Sequence, residues 1–284
     1  MSVFQKAFVE WYHEMVSKTK PHPGVVLNDL LNDVRELVKQ AAHPRKKTVA
    51  VSPEVAAMLE RIGPSPKPRI VEQGASPEFE ALRAEVNQCR KCRLWESRTH
   101  AVFGAGNPNA DLVFVGEAPG ENEDLQGVPF VGRAGRLLTD IIEKGMKMTR
   151  EDVFICNVLK CRPPGNRDPR PDEKEACEPY LVRQLELIKP MVICALGGHA
   201  AKMLLKTDES VGRLRGKWHF YQGIPVRVTY HPAYVVRSEH NPPRYDAEKR
   251  RVWEDIQEVL RVLRGEIMPE PEPRPESGTM DLFG

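Results

Sequence analysis

No run of 18 apolar residues occurs anywhere in the 284-residue chain, so no membrane-spanning helix is expected. The N-terminus has no apolar signal core. Residues 4–15 are amphipathic and carry charges, and a cytoplasmic protein is expected. An excess of one charge is also lacking. Forty-two Lys and Arg stand against 40 Asp and Glu, a net of +2. Any nucleic-acid surface must therefore be a local basic patch. There is no P-loop and no set of metal-binding carboxylates, which argues against a phosphotransferase or nucleotide hydrolase. Cysteine is limited to six residues. In a reducing compartment these point to metal binding or core packing before disulfides.

Apolar residues make up 40% of the chain, enough for a core. The length allows one large domain plus an extension. Residues 2–18 read as a helix, with Phe4, Phe8, Trp11, Tyr12 and Met15 at helical spacing. Residues 25–42 read as a second, and 51–62 as a short third with Pro53 at its first position. A helical extension over 1–62 is expected. Residues 63–77 hold four prolines and two glycines and read as a linker. A main domain is expected over 78–265. The tail over 266–284 is rich in proline and acids and is expected to be disordered.

Within the main domain, strand-like runs occur at 111–116, 153–158, 191–196 and 225–230. Helical patterns occupy 77–88, 133–145, 171–188, 198–205 and 246–263. That alternation predicts a parallel sheet covered on both faces. Each run ends in a residue with chemical potential. The first leads into Gly116-Glu117-Ala118-Pro119-Gly120, a tight turn with one carboxylate. The second ends near Asn157. The third ends in Gly197-Gly198, a turn opening a helix whose free N–H groups are suited to a phosphate. The fourth ends in His231-Pro232. Parallel strands bring these four points to one edge, where open α/β sheets keep their chemistry. A carboxylate, an amide, an anion-binding turn and an imidazole together resemble a nucleotide site.

Cys89 and Cys92 form C-x2-C, and Cys161 and Cys177 stand in or beside later loops. Four thiolates suffice for tetrahedral zinc or an iron–sulfur cluster, and spacing does not separate the two. Cys156 and Cys194 lie inside apolar strand runs and read as small buried hydrophobes.

Taken together, six motifs resemble the family 4, iron–sulfur uracil-DNA glycosylases. They are Cys89-x2-Cys92, the 116–120 turn, Gly127-Val-Pro-Phe-Val-Gly-Arg-Ala-Gly135, Asn157-Val-Leu-Lys-Cys-Arg-Pro-Pro164, Cys177-Glu-Pro-Tyr180 and His231-Pro-Ala-Tyr234. They come in the family's order and cover roughly residues 80–263. The resemblance implies an α/β fold: a three-layer αβα domain with a central four-stranded parallel sheet. It implies a 4Fe-4S cluster on Cys89, Cys92, Cys161 and Cys177, with zinc as the alternative occupant. It also implies monofunctional excision of uracil from DNA. The competing readings are a glycosylase of broader deaminated-base range and a non-catalytic, metal-holding DNA-binding module. A related branch that attaches covalently to DNA through a loop histidine is disfavoured. Residues 162–168 contain no histidine, and Ala118 stands where that branch has glutamine.

On this resemblance Glu117 and His231 are the catalytic residues. Phe130 and Asn157 hold the base, with Gly116, Gly120 and Glu123 around it. Arg133, Arg162, Arg167 and Arg237, with Gly197 and Gly198, are candidates for the DNA backbone. Arg93 or Arg162 is offered to DNA by the cluster loops. Val235, Val236 and Arg237 are candidates for a wedge in the minor groove. The protein is expected to be a monomer. In the tail, Thr279-Met280-Asp281-Leu282-Phe283 resembles the bacterial sliding-clamp-binding pentapeptide, with threonine in place of the usual glutamine.

Overall fold

The computed structural model describes residues 74–271. The expected helices over 1–62, most of the linker and the pentapeptide at 279–283 lie outside the described residues. The described chain opens with α1 (Pro77–Asn87), whose first turn is capped by the Ser76 hydroxyl accepting from the Phe79 N–H at 3.2 Å. Six strands follow: β1 (Ala105–Gly106), β2 (Leu112–Gly116), β3 (Phe154–Asn157), β4 (Val192–Leu196), β5 (Trp218–Tyr221) and β6 (Ile224–Thr229). The further helices are α2 (Glu121–Gln126), α3 (Arg133–Asp140), α4 (Pro171–Ile188), α5 (Gly198–Leu205), α6 (Val211–Leu214), α7 (Pro232–Arg237) and α8 (Pro242–Leu263).

The sheet order is β1-β3-β2-β4-β6-β5. Its four central strands, β3, β2, β4 and β6, are parallel, whereas β1 and β5 add antiparallel edges. The four-stranded parallel core is thus as expected, and the two edge strands are an addition. They are short and half-exposed and carry no continuous apolar run. Successive side chains on each central strand enter opposite cores. Val113, Val115, Ile193, Ala195, Val226 and Val228 pack with α1, α4 and α5. Leu112, Phe114, Val192, Cys194 and Leu196 pack with α3 and α8. Two cores on either side of one sheet make the three-layer αβα arrangement. Cys156 and Cys194 are fully buried in the strands.

Two helices differ from expectation. α8 begins at Pro242 because the Asn241 side chain accepts from the Arg244 N–H and proline occupies the first helical positions. The segment 233–237, expected as a loop, is the helix α7. His231 caps it and Pro232 sets its first turn. Val235 and Val236 are buried on that helix, with exposures of 1% and 8%. They belong to the core and are corrected as wedge candidates, because withdrawing them would empty that core. Arg237, at the helix end, is exposed.

Candidate active site

The strand order reverses at β2. The chain crosses to β3 over the face that carries α3, and later returns to β4 through α4 on the other face. Such a reversal opens a crevice at the carboxyl ends of the strands. A cavity of about 310 Å³ lies there, lined by Glu117, Gly120, Glu123, Phe130, Asn157, Arg167, His231 and Arg237 among others. A second cavity, of about 430 Å³, lies against α8 and is walled by residues such as Phe114, Val252 and Trp253. Neither Glu117, Asn157 nor His231 lines it.

Asn157 ends β3 and is 1% exposed. Its Oδ1 has no hydrogen-bond partner among the described residues. A buried, unpaired acceptor costs on the order of 1–3 kcal/mol, so the atom is set up for a donor that arrives with a ligand. Its backbone carbonyl is fixed by the buried Lys160, whose Nζ donates at 2.6 Å. Burial pushes the Lys160 ammonium below its usual range. Gly116 makes room for this amide. A Cβ there would stand 2.3 Å from Asn157 Oδ1 and 2.6 Å from Phe130 Cζ.

Phe130 sits at φ 54°, a conformation costly for a residue with a side chain. Three contacts hold it. Arg150 donates to the carbonyls of Phe130 and Pro129 at 3.2 and 2.7 Å. Gly135 lets the Phe130 backbone approach where a Cβ would stand 2.0 Å from its carbonyl. Glu123 Oε1 accepts from the Val131 and Gly132 N–H groups at 2.9 and 2.8 Å. The other oxygen of Glu123 accepts from Gly120 N–H at 3.1 Å. Glu123 is expected to assist from behind the groups that touch the base. Backbone donors occupy both its oxygens, so it staples the 116–120 turn to the Phe130 loop.

His231 follows β6. Its Nδ1 accepts from the Ala233 N–H at 3.1 Å, which leaves the ring proton on Nε2. Its ring centroid lies 5.6 Å from that of Phe130. Burial, with Arg237 and His199 nearby, pushes its pKa down to about 4. The neutral imidazole is therefore the working form near neutrality. Gly197 explains how the ring fits. It turns at φ 90°, and a Cβ on it would stand 2.9 Å from His231 Cβ. Gly197 is buried under His231, which corrects its assignment to a phosphate. Gly198 stays half-exposed at the start of α5.

Glu117 is held above the usual carboxylate range. Burial is the main cause, Asp168 adds to it, and His199, Lys174 and Arg237 oppose it. Sequence reasoning missed His199. The available signal was its position, one residue beyond the glycine turn at the end of β4.

The candidate arginines divide. Arg167 is locked onto the buried carboxylate of Glu173 at 2.9 Å. Arg162 donates to Asn166 Oδ1 at 2.8 Å and lies 3.7 Å from Glu121. Arg133 is paired with Glu239. Arg93 is exposed beside the cysteines, and Arg237 is exposed at the cavity mouth.

Cys89, Cys92, Cys161 and Cys177 line one small cavity with Arg98, Lys160 and Tyr180. Two donors face the sulfurs: Arg98 Nη1 to Cys161 at 3.0 Å and the Lys160 N–H to Cys177 at 3.3 Å. Burial pushes the Cys92 and Cys161 thiols up, and that of Cys177 up to about 12. Thiolates in such a place need a cation to offset their burial. The donor set thus fits a thiolate-bound metal group.

The family profile of the uracil DNA glycosylase superfamily matches residues 103–257. The type-4 uracil-DNA glycosylase of Saccharolobus solfataricus is 52% identical over 193 residues, covering 65% of this chain and 86% of that protein. That of Thermotoga maritima is 44% identical over 191 residues, covering 66% and 96%. A type-5 uracil-DNA glycosylase of Pyrobaculum aerophilum is 28% identical over 181 residues, covering 58% and 80%. With these relatives, an αβα fold and a cavity at the sheet's reversal, the chain belongs to the uracil-DNA glycosylase superfamily and, within it, to the type-4 family.

Proposed function

We propose that the chain is a monofunctional glycosylase that hydrolyses the N-glycosidic bond of uracil in DNA and leaves an abasic site. The observation that carries this reading is the buried, unpaired Oδ1 of Asn157 at the floor of the cavity. Kinship with proteins named type-4 uracil-DNA glycosylase supports it.

A base must leave the helical stack to reach such a cavity, which costs a few kcal/mol. The flipped ring lies along Phe130. Asn157 Oδ1 accepts from uracil N3–H, and its amide N–H donates to O4. Cytosine presents an acceptor at N3 and a donor at N4, so it leaves both ends of the amide unpaired. As the bond to C1′ breaks, negative charge gathers on uracil O2 and positive charge on the sugar. His231 Nε2–H donates to O2. Glu117, as the carboxylate, faces the sugar and directs water to C1′. Water supplies the hydroxyl at C1′ and passes its other proton to the Glu117 carboxylate, and uracil leaves as the anion. Arg237 is the member of the 233–237 segment left to meet DNA. Arg93, Arg133, Arg162 and Gly198 are further backbone contacts in this reading.

Cys89, Cys92, Cys161 and Cys177 would hold a 4Fe-4S cluster, which would supply a rigid cross-link between loops and α4 and no electron to this hydrolysis. Among the described residues, only Glu117, Asp168 and His199 bring three ligand atoms within 4.8 Å of one another. For the four cysteines, the resemblance to the iron–sulfur family carries the choice of cluster over zinc, since four thiolates suit either. Among the described residues no helix is long and apolar enough to cross a membrane, and the assignment carries a monomeric, cytoplasmic enzyme.

The test is to incubate the protein and a Glu117→Ala variant with a uracil-containing oligonucleotide, followed by alkali, and to record the visible spectrum. Cleavage at uracil, lost in the variant, with broad brown absorption is expected. A colourless active protein would remove the cluster, and a protein that binds DNA without releasing base would remove the enzyme. The pentapeptide 279–283 adds tethering to a sliding clamp, which raises local concentration on replicated DNA. Binding of purified clamp should be lost on Phe283→Ala, and unchanged binding would refute it.

A further inference from the structure

His199 stands beside Glu117, and the proposed reaction leaves it without a role. It is the second residue of α5, beyond the Gly197 turn that seats His231. Its Nε2 lies 3.7 Å from Glu117 Oε1 and 3.9 Å from Asp168 Oδ1. Both distances are within ion-pair reach and beyond hydrogen bonding. Its Nδ1 is buried and finds no hydrogen-bond partner among the described residues. With no acceptor at Nδ1, the proton of the neutral ring belongs on Nε2. Both the neutral and the charged ring therefore turn a positive edge toward the two carboxylates.

We propose that His199 is a positioning residue whose Nε2–H edge keeps Glu117 ionised for attack on the sugar, with Asp168 holding that edge in place. The inference rests on the reading of Glu117 as the working carboxylate. The charged groups around the pair come from every neighbouring element: Asp168 from the 167–170 loop, Lys174 from α4, Arg237 from α7 and His231 after β6. Burial and Asp168 both drive Glu117 toward its neutral acid. His199 is the main opposing influence, and Lys174 and Arg237 add to it. The same positive edge disfavours protonation of His231, whose neutral form the reaction needs. A single side chain thus pushes both catalytic groups toward their deprotonated, productive forms, a carboxylate and a neutral imidazole. The sign follows directly. The rate depends on ionised Glu117, so it rises as pH climbs through the Glu117 pKa. Removing His199 raises that pKa.

The test is single-turnover excision by the full chain at saturating enzyme, as a function of pH, for wild type, His199→Gln, His199→Arg and Glu117→Gln. Circular dichroism confirms that each variant is folded. In His199→Gln the acid limb should move up by about one pH unit, the smallest shift typical of an opposite charge at this range. Rates should converge with wild type on the alkaline side. His199→Arg, with a permanent cation, should keep the limb at or below its wild-type position. Proton NMR of the histidine rings supplies a readout free of activity. The same positive edge holds His231 down, so the His231 midpoint should rise above about 4 in His199→Gln. The proposal is overturned if the His199→Gln limb overlays wild type, if His199→Arg shifts as His199→Gln does, or if the NMR midpoint is unmoved. Substantial activity in Glu117→Gln would instead sink the reading of Glu117 itself, and the NMR arm still decides whether His199 turns a positive edge into the site.

Discussion

Asn157→Ala is expected to lower kcat/KM for uracil excision on the order of 10³-fold, the loss of two hydrogen bonds inside a dry site. The side chain is 1% exposed and its Oδ1 has no partner among the described residues, so it contributes little to the free protein beyond packing. The free enzyme carries an acceptor that only the substrate satisfies. The variant should therefore melt close to wild type, because the lost packing is offset by removal of an unsatisfied group. Binding of uracil-free duplex should be unchanged, since backbone contacts do not involve this amide. Single-turnover kinetics on uracil, with a melting curve, separate this outcome from a folding defect. A loss of less than tenfold would show that the amide does not select the base.

His231→Ala should slow the chemical step about 10²–10³-fold, the usual cost of one preorganised donor to a developing oxyanion. The pH dependence is the sharper part. A histidine normally titrates near 6.5, but His231 is pushed down to about 4. Its neutral form, with the proton on Nε2, therefore persists across the working range and is lost only as pH falls through about 4. Glu117 moves the other way, its pKa raised by burial. Its carboxylate is lost at a higher pH than an ordinary glutamate's. The acid limb of the wild-type rate then belongs to Glu117 and not to the histidine. His231→Ala should keep that limb while its plateau drops. Glu117→Gln should have a low, flat profile there. Disappearance of the limb in His231→Ala would reverse the assignment.

The positions of the four central strands and the residues at their ends were legible in the sequence for physical reasons. Central parallel strands are buried on both faces, so they read as short apolar runs bounded by glycine and proline. Each of the four was placed to within a residue or two. Because parallel strands point the same way, residues just past their ends must share an edge. Glu117, Asn157 and His231 follow from that rule alone. Of the four cysteines, the Cys89-x2-Cys92 pair was visible by spacing, and Cys161 and Cys177 joined it through the family resemblance.

Other features depend on contacts between residues remote in the chain. The role of Glu123 is decided by backbone N–H groups at 131 and 132, which become its neighbours only when the Phe130 loop folds back. Gly197 reads as an anion-binding turn in sequence, but tertiary packing lays His231 across it. Val235 and Val236 look like an exposed apolar wedge until α7 turns them into the core beneath α8. His199 has no motif, and its meeting with Glu117 depends on β2 and β4 lying side by side at the point where strand order reverses. Sequence alone thus determined that Glu117, Asn157 and His231 stand at the edge, because local hydrophobic pattern and strand direction place them. Tertiary structure decided which group is paired, which is buried and which proton each holds, because burial and charge are summed over neighbours that no local stretch contains.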